Sequence, residues 1–329
     1  MDKPDRRRVI LLFVIIPAMI MSLILLWKPI FMSKSASCIA GHKTYPSNVE
    51  KNSVILNGRQ VTYADSGSGE VILLIHGMGS SSSVYSQMTP LLADKYRCIA
   101  VDLPGYGGSE YQRMDSLDSY TDFISEFKRE LGLNDTFCIG HSFGGTIMSH
   151  MSYSRPNVCK KIVNIDGVLF MYVPTFLQER FLSNLKADRL SVFDPVHKNI
   201  NERLLMDVEK SSLMSADYSA MVDSSNAVMW YDFSAGDRVS SPPMLFIGAG
   251  GEMFFSTSRL QLLPYKLYKL SGPVYANQLQ LRLFRRAYGL YPEDKFVLRN
   301  VHSPSHYPML DCPDELSELI DGFFEDNVN

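Results

Sequence analysis

The chain has 329 residues, of which 46% are hydrophobic and 20% are charged, with a formal net charge of −3 and an isoelectric point near 6.2. This composition allows one large buried core plus an appended segment, and it excludes a disordered or repetitive chain. The weak negative charge gives no electrostatic footprint for nucleic acid, so nucleic-acid binding is excluded as well.

The cysteines predict no structural role as a group. There are five of them, scattered along the chain, and their spacing fits neither a disulfide framework nor a zinc site. Cys98 and Cys138 lie inside predicted strands, so we expect them to be small core residues. No role is evident for the remaining three, Cys38, Cys159 and Cys312.

The N-terminus predicts a single-pass membrane anchor. An uncharged run at residues 9–27 follows three arginines at residues 6–8. As a helix rising about 1.5 Å per residue, this run is long enough to cross a hydrocarbon core of about 30 Å. By the positive-inside rule, residues 1–8 are cytoplasmic and the rest of the chain lies on the non-cytoplasmic side of the membrane. A cleaved signal peptide that releases a secreted protein is the alternative, and residues 28–52 read as a linker.

The folded part is predicted to begin with a hairpin and to continue as alternating strands and helices. Asn57-Gly58 joins two short strands at residues 53–56 and 60–64, and this pair favours a tight type I′ turn. Strand patterns near residues 71, 98, 136 and 161 then alternate with helix candidates near 85, 118 and 144. Such alternation implies crossover connections, and therefore a mostly parallel sheet.

The most informative motif is Gly140-His141-Ser142-Phe143-Gly144-Gly145, which reads as G-x-S-x-G. An apolar strand at residues 136–139 precedes it, and a helical run at residues 146–153 follows. Ser142 therefore falls at a sharp turn that displays its hydroxyl above the sheet, where it can act as a nucleophile. An ordinary glycine-rich turn is the alternative interpretation.

A second loop supplies a predicted oxyanion hole. The buried strand at residues 71–75 ends in His76-Gly77-Met78-Gly79 and a serine-rich stretch. Acyl transfer builds negative charge on a carbonyl oxygen, which two backbone N–H groups can stabilise. We assign these donors to Met78 and Phe143. Phosphate binding by the same loop is disfavoured, because no Lys-Ser or Lys-Thr pair follows Gly79.

The general base and its acid come from later in the chain. His306 lies in a loop between a strand at residues 296–301 and a helix at 314–324, and its imidazole can accept the serine proton and return it. His302 is a nearby competitor. For the acid that orients the imidazole, we favour Glu252, which follows a strand at residues 243–249, over Asp166, which ends the strand at 161–165.

Residues 168–241 interrupt the alternation with helical runs rich in methionine, leucine and aromatic residues. This segment is predicted to be a helical cap over a core formed by residues 53–167 and 242–329, since lids exclude water and shape the substrate pocket. Four apolar side chains are candidates for lining that pocket, with plain packing between cap and core as the alternative: Phe170, Met171, Tyr172 and Phe254.

Taken together, these motifs resemble the α/β-hydrolase superfamily, and among its members the esterase- and lipase-like serine hydrolases. The motifs that carry the resemblance are His76-Gly77, the stretch from Asp102 to Ser109, the Ser142 turn and His306-Tyr307-Pro308-Met309. The resemblance implies a Ser-acid-His triad in that chain order, a mostly parallel sheet flanked by helices, and no metal or organic cofactor. The usual acid of the family is aspartate after the seventh strand, so Glu252 is a departure.

The resemblance also narrows the chemistry. Epoxide hydrolases and haloalkane dehalogenases carry aspartate where this chain has Ser142, so acyl-enzyme chemistry is favoured. We expect a membrane-anchored hydrolase of lipophilic esters, such as monoacylglycerols or other lipid esters. Amidase, thioesterase, C–C hydrolase and acyltransferase chemistry remain alternatives, as does a catalytically silent binding protein. No oligomeric state is predicted.

Overall fold

The computed structural model of the protein describes residues 50–169, 175–197, 200, 203–229, 231, 241–249, 295–301, 303 and 305–326. The predicted anchor at residues 9–27 lies outside these ranges, as do residues 1–8 and nearly all of the predicted linker. Within the ranges described, no helix is both long and apolar enough to span a bilayer.

A single eight-stranded sheet organises the described residues, with strand order β1-β2-β4-β3-β5-β6-β7-β8. The pairings β1–β2 and β2–β4 are antiparallel, and every later pairing is parallel, as the alternation of strands and helices predicted. The strands are β1 Lys51–Leu56, β2 Arg59–Ser66, β3 Glu70–Ile75, β4 Tyr96–Val101, β5 Thr136–His141, β6 Cys159–Ile165, β7 Met244–Ala249 and β8 Phe296–Val301.

The predicted N-terminal hairpin is confirmed. Leu56 of β1 pairs with Arg59 of β2, so only Asn57 and Gly58 form the turn. Both turn residues have positive φ, 51° and 75°, which is the backbone that a type I′ turn requires at its two central positions.

Nine α-helices and one 3-10 helix flank the sheet or cap it in the described part of the chain. The 3-10 helix is Ser82–Tyr85, and the α-helices are α1 Thr89–Leu92, α2 Leu117–Glu130, α3 Phe143–Ser154, α4 Thr175–Ala187, α5 Arg189–His197, α6 Arg203–Ser215, α7 Tyr218–Val228, α8 Pro308–Asp311 and α9 Pro313–Glu325.

The prediction of a single helix near residue 85 is wrong. The segment instead contains the 3-10 helix and the one-turn α1, separated by residues 86–88. Pro90 lies in the first turn of α1, where its missing N–H is tolerated, whereas inside a longer helix it would remove a hydrogen bond. The helix predicted near residue 118 is confirmed as α2. The helices predicted at residues 146–153 and 314–324 are confirmed as α3 and α9, both slightly longer than predicted.

Apolar side chains cover both faces of the sheet. On one face, Phe123 and Phe127 of α2 and Met151 of α3 belong to a buried cluster. On the other face, Ile320 and Phe324 of α9 belong to a second buried cluster. The central strands β3 to β7 are therefore mostly buried on both sides, as expected of a parallel sheet. Helices α4 to α7 are inserted between β6 and β7, inside the segment predicted as a cap.

The cysteine prediction is wrong for one pair. Cys138 of β5 and Cys159 of β6 form a disulfide, whereas Cys98 and Cys312 are buried and take no part in it. The two bonded residues are 21 positions apart, and they meet because helix α3 returns the chain so that β5 and β6 become parallel neighbours. The disulfide thus arises from the strand pairing, which cysteine spacing alone does not reveal.

Candidate active site

Ser142 occupies a strained turn between β5 and α3. Its backbone has φ 52° and ψ −116°, a conformation that side-chain-bearing residues adopt only where the surroundings enforce it. The enforcement comes from close backbone contacts: a Cβ on Gly140 would lie 2.2 Å from the Gly144 carbonyl oxygen, and a Cβ on Gly144 would lie 2.2 Å from that of Ile75. The turn thus displays the half-buried Ser142 at the carboxyl end of the sheet.

Asp166 lies at the end of the neighbouring strand. His141 of β5 pairs with Ile165 of β6, and the Ser142 N–H donates to the Ile165 carbonyl at 2.9 Å. Asp166, the next residue, also has a positive φ of 50°, and its N–H donates to the Ile247 carbonyl of β7 at 2.8 Å. Ser142 and Asp166 therefore follow the ends of two adjacent strands, β5 and β6, so a hydroxyl and a carboxylate lie at the same edge of the sheet.

The structure brings His306 and Asp166 into contact. The Nδ1–H of His306 donates to Asp166 Oδ2 at 2.7 Å, and the two side chains are only 6% and 3% exposed. Because Nδ1 carries the donated proton, Nε2 of the neutral ring has the lone pair that a general base needs. Burial raises the pKa of the Asp166 carboxyl above its usual value, while the hydrogen bond and charge of His306 oppose that rise.

A buried polar network fixes the loop that carries His306. Asp311 Oδ2 accepts hydrogen bonds from Ser303 Oγ at 2.9 Å, from the Ser305 N–H at 3.1 Å and from Ser305 Oγ. From the opposite side, the Nε2–H of His141 donates to the His306 carbonyl oxygen at 2.7 Å. His306 is thus held through its neighbour Ser305, through its own carbonyl oxygen and through its ring by Asp166.

The loop assigned to the oxyanion hole borders Ser142. A Cβ on Gly77 would lie 3.0 Å from the Ser142 Cβ, so the backbone next to Met78 runs beside the nucleophile. His76 fixes this loop, because its Nε2 accepts from the Leu103 N–H at 2.9 Å and its Nδ1–H donates to the Gly77 carbonyl at 2.8 Å. Burial lowers the pKa of His76 to about 4, so the ring stays neutral and keeps both bonds.

Phe143, the other predicted donor, is the first residue of α3. The first N–H groups of a helix have no partner within it and lie at the positive end of its dipole. The Phe143 ring packs edge-on against Tyr120 of α2, with centroids 5.0 Å apart. This contact anchors the residue and leaves its N–H at the turn beside Ser142.

The remaining predicted site residues lie outside the described residues. These are the favoured acid Glu252, the competing base His302 and the four candidate pocket residues Phe170, Met171, Tyr172 and Phe254.

Sequence reasoning did not single out two buried polar residues of the cap, Glu209 of α6 and His197 of α5, each 1% exposed. One signal could have identified Glu209. It lies four residues after Leu205 and four before Leu213, both of which are buried, so it occupies the apolar face of its helix. Burial raises the pKa of Glu209 to about 7 and lowers that of His197 to about 4.

Comparison with known proteins identifies a family. The sequence model of a protein family, the alpha/beta hydrolase fold family, matches residues 70–263, which is more than half of the chain. An (E)-2-((N-methylformamido)methylene)succinate hydrolase of Acinetobacter baylyi is 30% identical over 121 residues, which cover 36% of this chain and 46% of that protein. A pimeloyl-acyl-carrier-protein methyl ester esterase of Vibrio cholerae is 30% identical over 128 residues, which cover 39% of this chain and 47% of that protein.

Solved structures of other proteins have a similar fold. An enol-lactonase from Burkholderia xenovorans superposes with a TM-score of 0.66 at 12% identity, covering 84% of this chain and 100% of that one. Identity this low bears on the fold alone. The chain spans about half the length of the curated relatives it matches.

Proposed function

This chain belongs to the alpha/beta hydrolase fold family, and on that premise we propose that it is a serine hydrolase that cleaves carboxylic esters through an acyl-enzyme. The observation that carries the proposal is the hydrogen bond between His306 and Asp166 at the strand end next to Ser142. We assign Ser142 as the nucleophile, His306 as the general base and Asp166 as the acid, in place of the Glu252 that the sequence favoured.

The first half of the reaction forms the acyl-enzyme. Ser142 Oγ attacks the ester carbonyl carbon while its proton passes to Nε2 of His306, and the carbonyl electron pair moves onto oxygen. The Asp166 carboxylate stabilises the imidazolium and keeps the ring in the required tautomer. The N–H groups of Met78 and Phe143 are the proposed donors to the oxyanion. Collapse of this intermediate expels the alcohol, which takes the proton from His306.

The second half hydrolyses the acyl-enzyme. Water attacks the same carbonyl carbon and gives a proton to His306, and collapse releases the carboxylic acid as Ser142 regains that proton. His306 therefore acts as base and then as acid in both halves. The sequence of events requires only the residues named and one water per turnover.

We propose lipophilic esters, such as monoacylglycerols, as the substrate class. Support comes from the cap, whose apolar side chains Leu213 and Phe193 lie directly over Gly79 of the oxyanion loop. Such a cover excludes water, and the exclusion of water strengthens the electrostatic contacts that stabilise the transition state. The predicted pocket residues Phe170, Met171, Tyr172 and Phe254 remain proposals for contact with the acyl chain.

A panel of esters tests this function. We expect wild-type protein to hydrolyse p-nitrophenyl and glycerol esters with a preference for longer acyl chains over acetate, and the matched amides at a much lower rate. The Ser142→Ala variant, assayed in parallel, measures contaminating activity. Hydrolysis that this variant retains in full, or turnover confined to substrates other than esters, would contradict the proposal.

We also propose that residues 9–27 anchor the protein and that the catalytic domain, built from residues 53–167 and 242–329 with the cap at 168–241, lies on the non-cytoplasmic side. The Cys138–Cys159 disulfide supports this placement, because disulfides persist mainly in oxidising compartments. A secreted form would meet the same environment, and the intact mass of purified protein, with or without residues 1–27, distinguishes the two.

The disulfide itself can be tested. When thiols are trapped in intact cells, we expect Cys138 and Cys159 to be recovered oxidised and Cys98 to be recovered as a free thiol. Replacing both bonded cysteines with alanine should lower the free energy of unfolding by about 3 kcal/mol, the value expected for a closed loop of this size. A Cys98→Ala variant is the control. Recovery of Cys138 as a free thiol would remove this support for the proposed location.

A further inference from the structure

Glu209 is a carboxyl group of the cap that is almost completely buried against the core. It is 1% exposed, and its Oε2 accepts a hydrogen bond from Ser80 Oγ at 2.7 Å. Its other oxygen, Oε1, is buried with no hydrogen-bond partner among the described residues. A carboxyl group in such a place costs stability, so its contact with Ser80 is a feature that packing alone does not explain.

Ser80 belongs to the turn that presents Met78. The Ser80 N–H donates to the Gly77 carbonyl at 3.3 Å and closes a tight turn with Met78 and Gly79 at its centre. Gly79 has a φ of 76°, so the turn has one well-defined backbone shape. Any group that fixes the Ser80 side chain therefore also fixes the direction of the Met78 N–H.

Two neighbours of Glu209 on α6 contact the same turn. Leu213 covers Gly79, since a Cβ on that glycine would lie 2.7 Å from Leu213 Cδ1. Ser212 Oγ hydrogen-bonds Ser81 Oγ at 3.0 Å. Positions three and four residues apart share one face of a helix, so this face of α6 meets three consecutive residues of the oxyanion loop.

We infer that Glu209 is a positioning residue for the oxyanion hole, because its hydrogen bond to Ser80 holds the turn that carries Met78 against α6. The cap then contributes to catalysis as well as covering the pocket, since its correct docking sets one of the two oxyanion donors. This inference rests on the proposed function.

The protonation state of Glu209 is part of the contact. Among the residues that the structure describes, the titratable groups that face it from the surrounding elements are the phenols of Tyr85, on the 3-10 helix, and Tyr307, beside His306. Burial, and to a lesser extent Glu209 itself, raises the pKa of both phenols, so both stay neutral and place no charge beside Glu209. Because burial raises the pKa of Glu209 to about 7, its carboxyl group changes between the neutral and the charged form near physiological pH.

The test compares Glu209→Ala and Glu209→Gln with Asp207→Asn, a control on the same helix whose side chain is exposed. At pH 6 we expect Glu209→Ala to lower kcat by about tenfold with little change in KM, because an oxyanion contact exists only in the transition state. Glu209→Gln keeps an acceptor for Ser80 and should stay within about twofold of wild type. Asp207→Asn should leave both constants unchanged.

Other outcomes decide against the inference. An unchanged kcat in Glu209→Ala, a rise in KM alone, or an equal loss in Asp207→Asn would overturn it. If Glu209→Ala does not fold, Ser80→Ala removes the same hydrogen bond from the core side and should give the same fall in kcat. A wild-type protein that never reacts with a fluorophosphonate probe would contradict the proposed function, whereas equal labelling rates of wild type and Glu209→Ala would contradict this inference alone.

Thermal melting tests the buried carboxyl without any assay of activity. The pKa of Glu209 is raised on folding from 4.5 to about 7, so stability present below pH 4.5 is lost as the pH rises through 7. Glutamine cannot ionise. We therefore expect the Tm of Glu209→Gln relative to wild type to be several degrees higher at pH 8.5 than at pH 4.5. A Tm difference that does not vary with pH would show that Glu209 does not titrate in the buried contact.

Discussion

Asp166→Asn is expected to lower kcat for ester hydrolysis by about 10⁴-fold, the loss typical of removing the acid of a serine triad. The amide has no charge with which to stabilise the imidazolium, and it can donate a hydrogen bond to Nδ1, which favours the wrong tautomer of His306. Asparagine is the substitution of choice because Asp166 has a φ of 50°, a conformation that asparagine tolerates well. The measurement is kcat and KM at pH 7 to 8 on purified protein.

The matched control is Glu252→Gln, which changes the other candidate acid. We expect it to stay close to wild type in kcat, since His306 Nδ1 already donates to Asp166. The reverse pattern, in which only the Glu252 change abolishes turnover, would restore the assignment that the sequence favoured. Circular dichroism of both variants should match that of the wild type, so that a loss of activity reports on chemistry.

The sequence was sufficient to predict the strands that precede Ser142 and His306. Each residue lies in a short motif whose constraints are local: glycines that permit a strained turn around Ser142, and a loop between a strand and a helix around His306. The parallel sheet could also be predicted, because alternation of strands and helices is visible along the chain. These features depend on neighbours in sequence.

The acid, the disulfide and Glu209 depend instead on neighbours in space. Asp166 reaches His306 because β6 lies between β5 and β7, and Cys138 meets Cys159 because β5 and β6 are paired from their first residues. Chain order is compatible with other lateral arrangements of the same strands. Glu209 lies 129 positions from Ser80, and only the docking of α6 over the sheet brings the two together.

The contacts that depend on neighbours in space are also those with the weakest signals in the sequence. A cysteine inside an apolar strand has the same pattern whether it is free, as Cys98 is, or bonded, as Cys138 is. Glu209 interrupts an apolar helix face, which suggests a buried acid but names no partner for it. Sequence patterns thus predict which residues are buried more readily than which of them meet.

Ser142→Ala and His306→Ala are each expected to lower kcat by about 10⁵- to 10⁶-fold, and the double variant by no more than either single one. The reason is that a serine hydroxyl without a base is a poor nucleophile, and a base without a serine has no proton to accept. His150→Ala is the matched control, since His150 lies on α3 and bonds Tyr153 and Asp118 instead of the triad residues.

Comparison of the three rates tests whether the two residues act as one unit. If the losses multiplied in the double variant, Ser142 and His306 would contribute independently, and a shared proton transfer would be excluded. If they do not multiply, the residual rate above that in water, about 10³-fold in comparable enzymes, measures what the oxyanion donors and substrate binding contribute alone. Adding Glu209→Ala to the Ser142→Ala background should then lower this residual rate further, because Met78 would lose its support although the nucleophile is already absent.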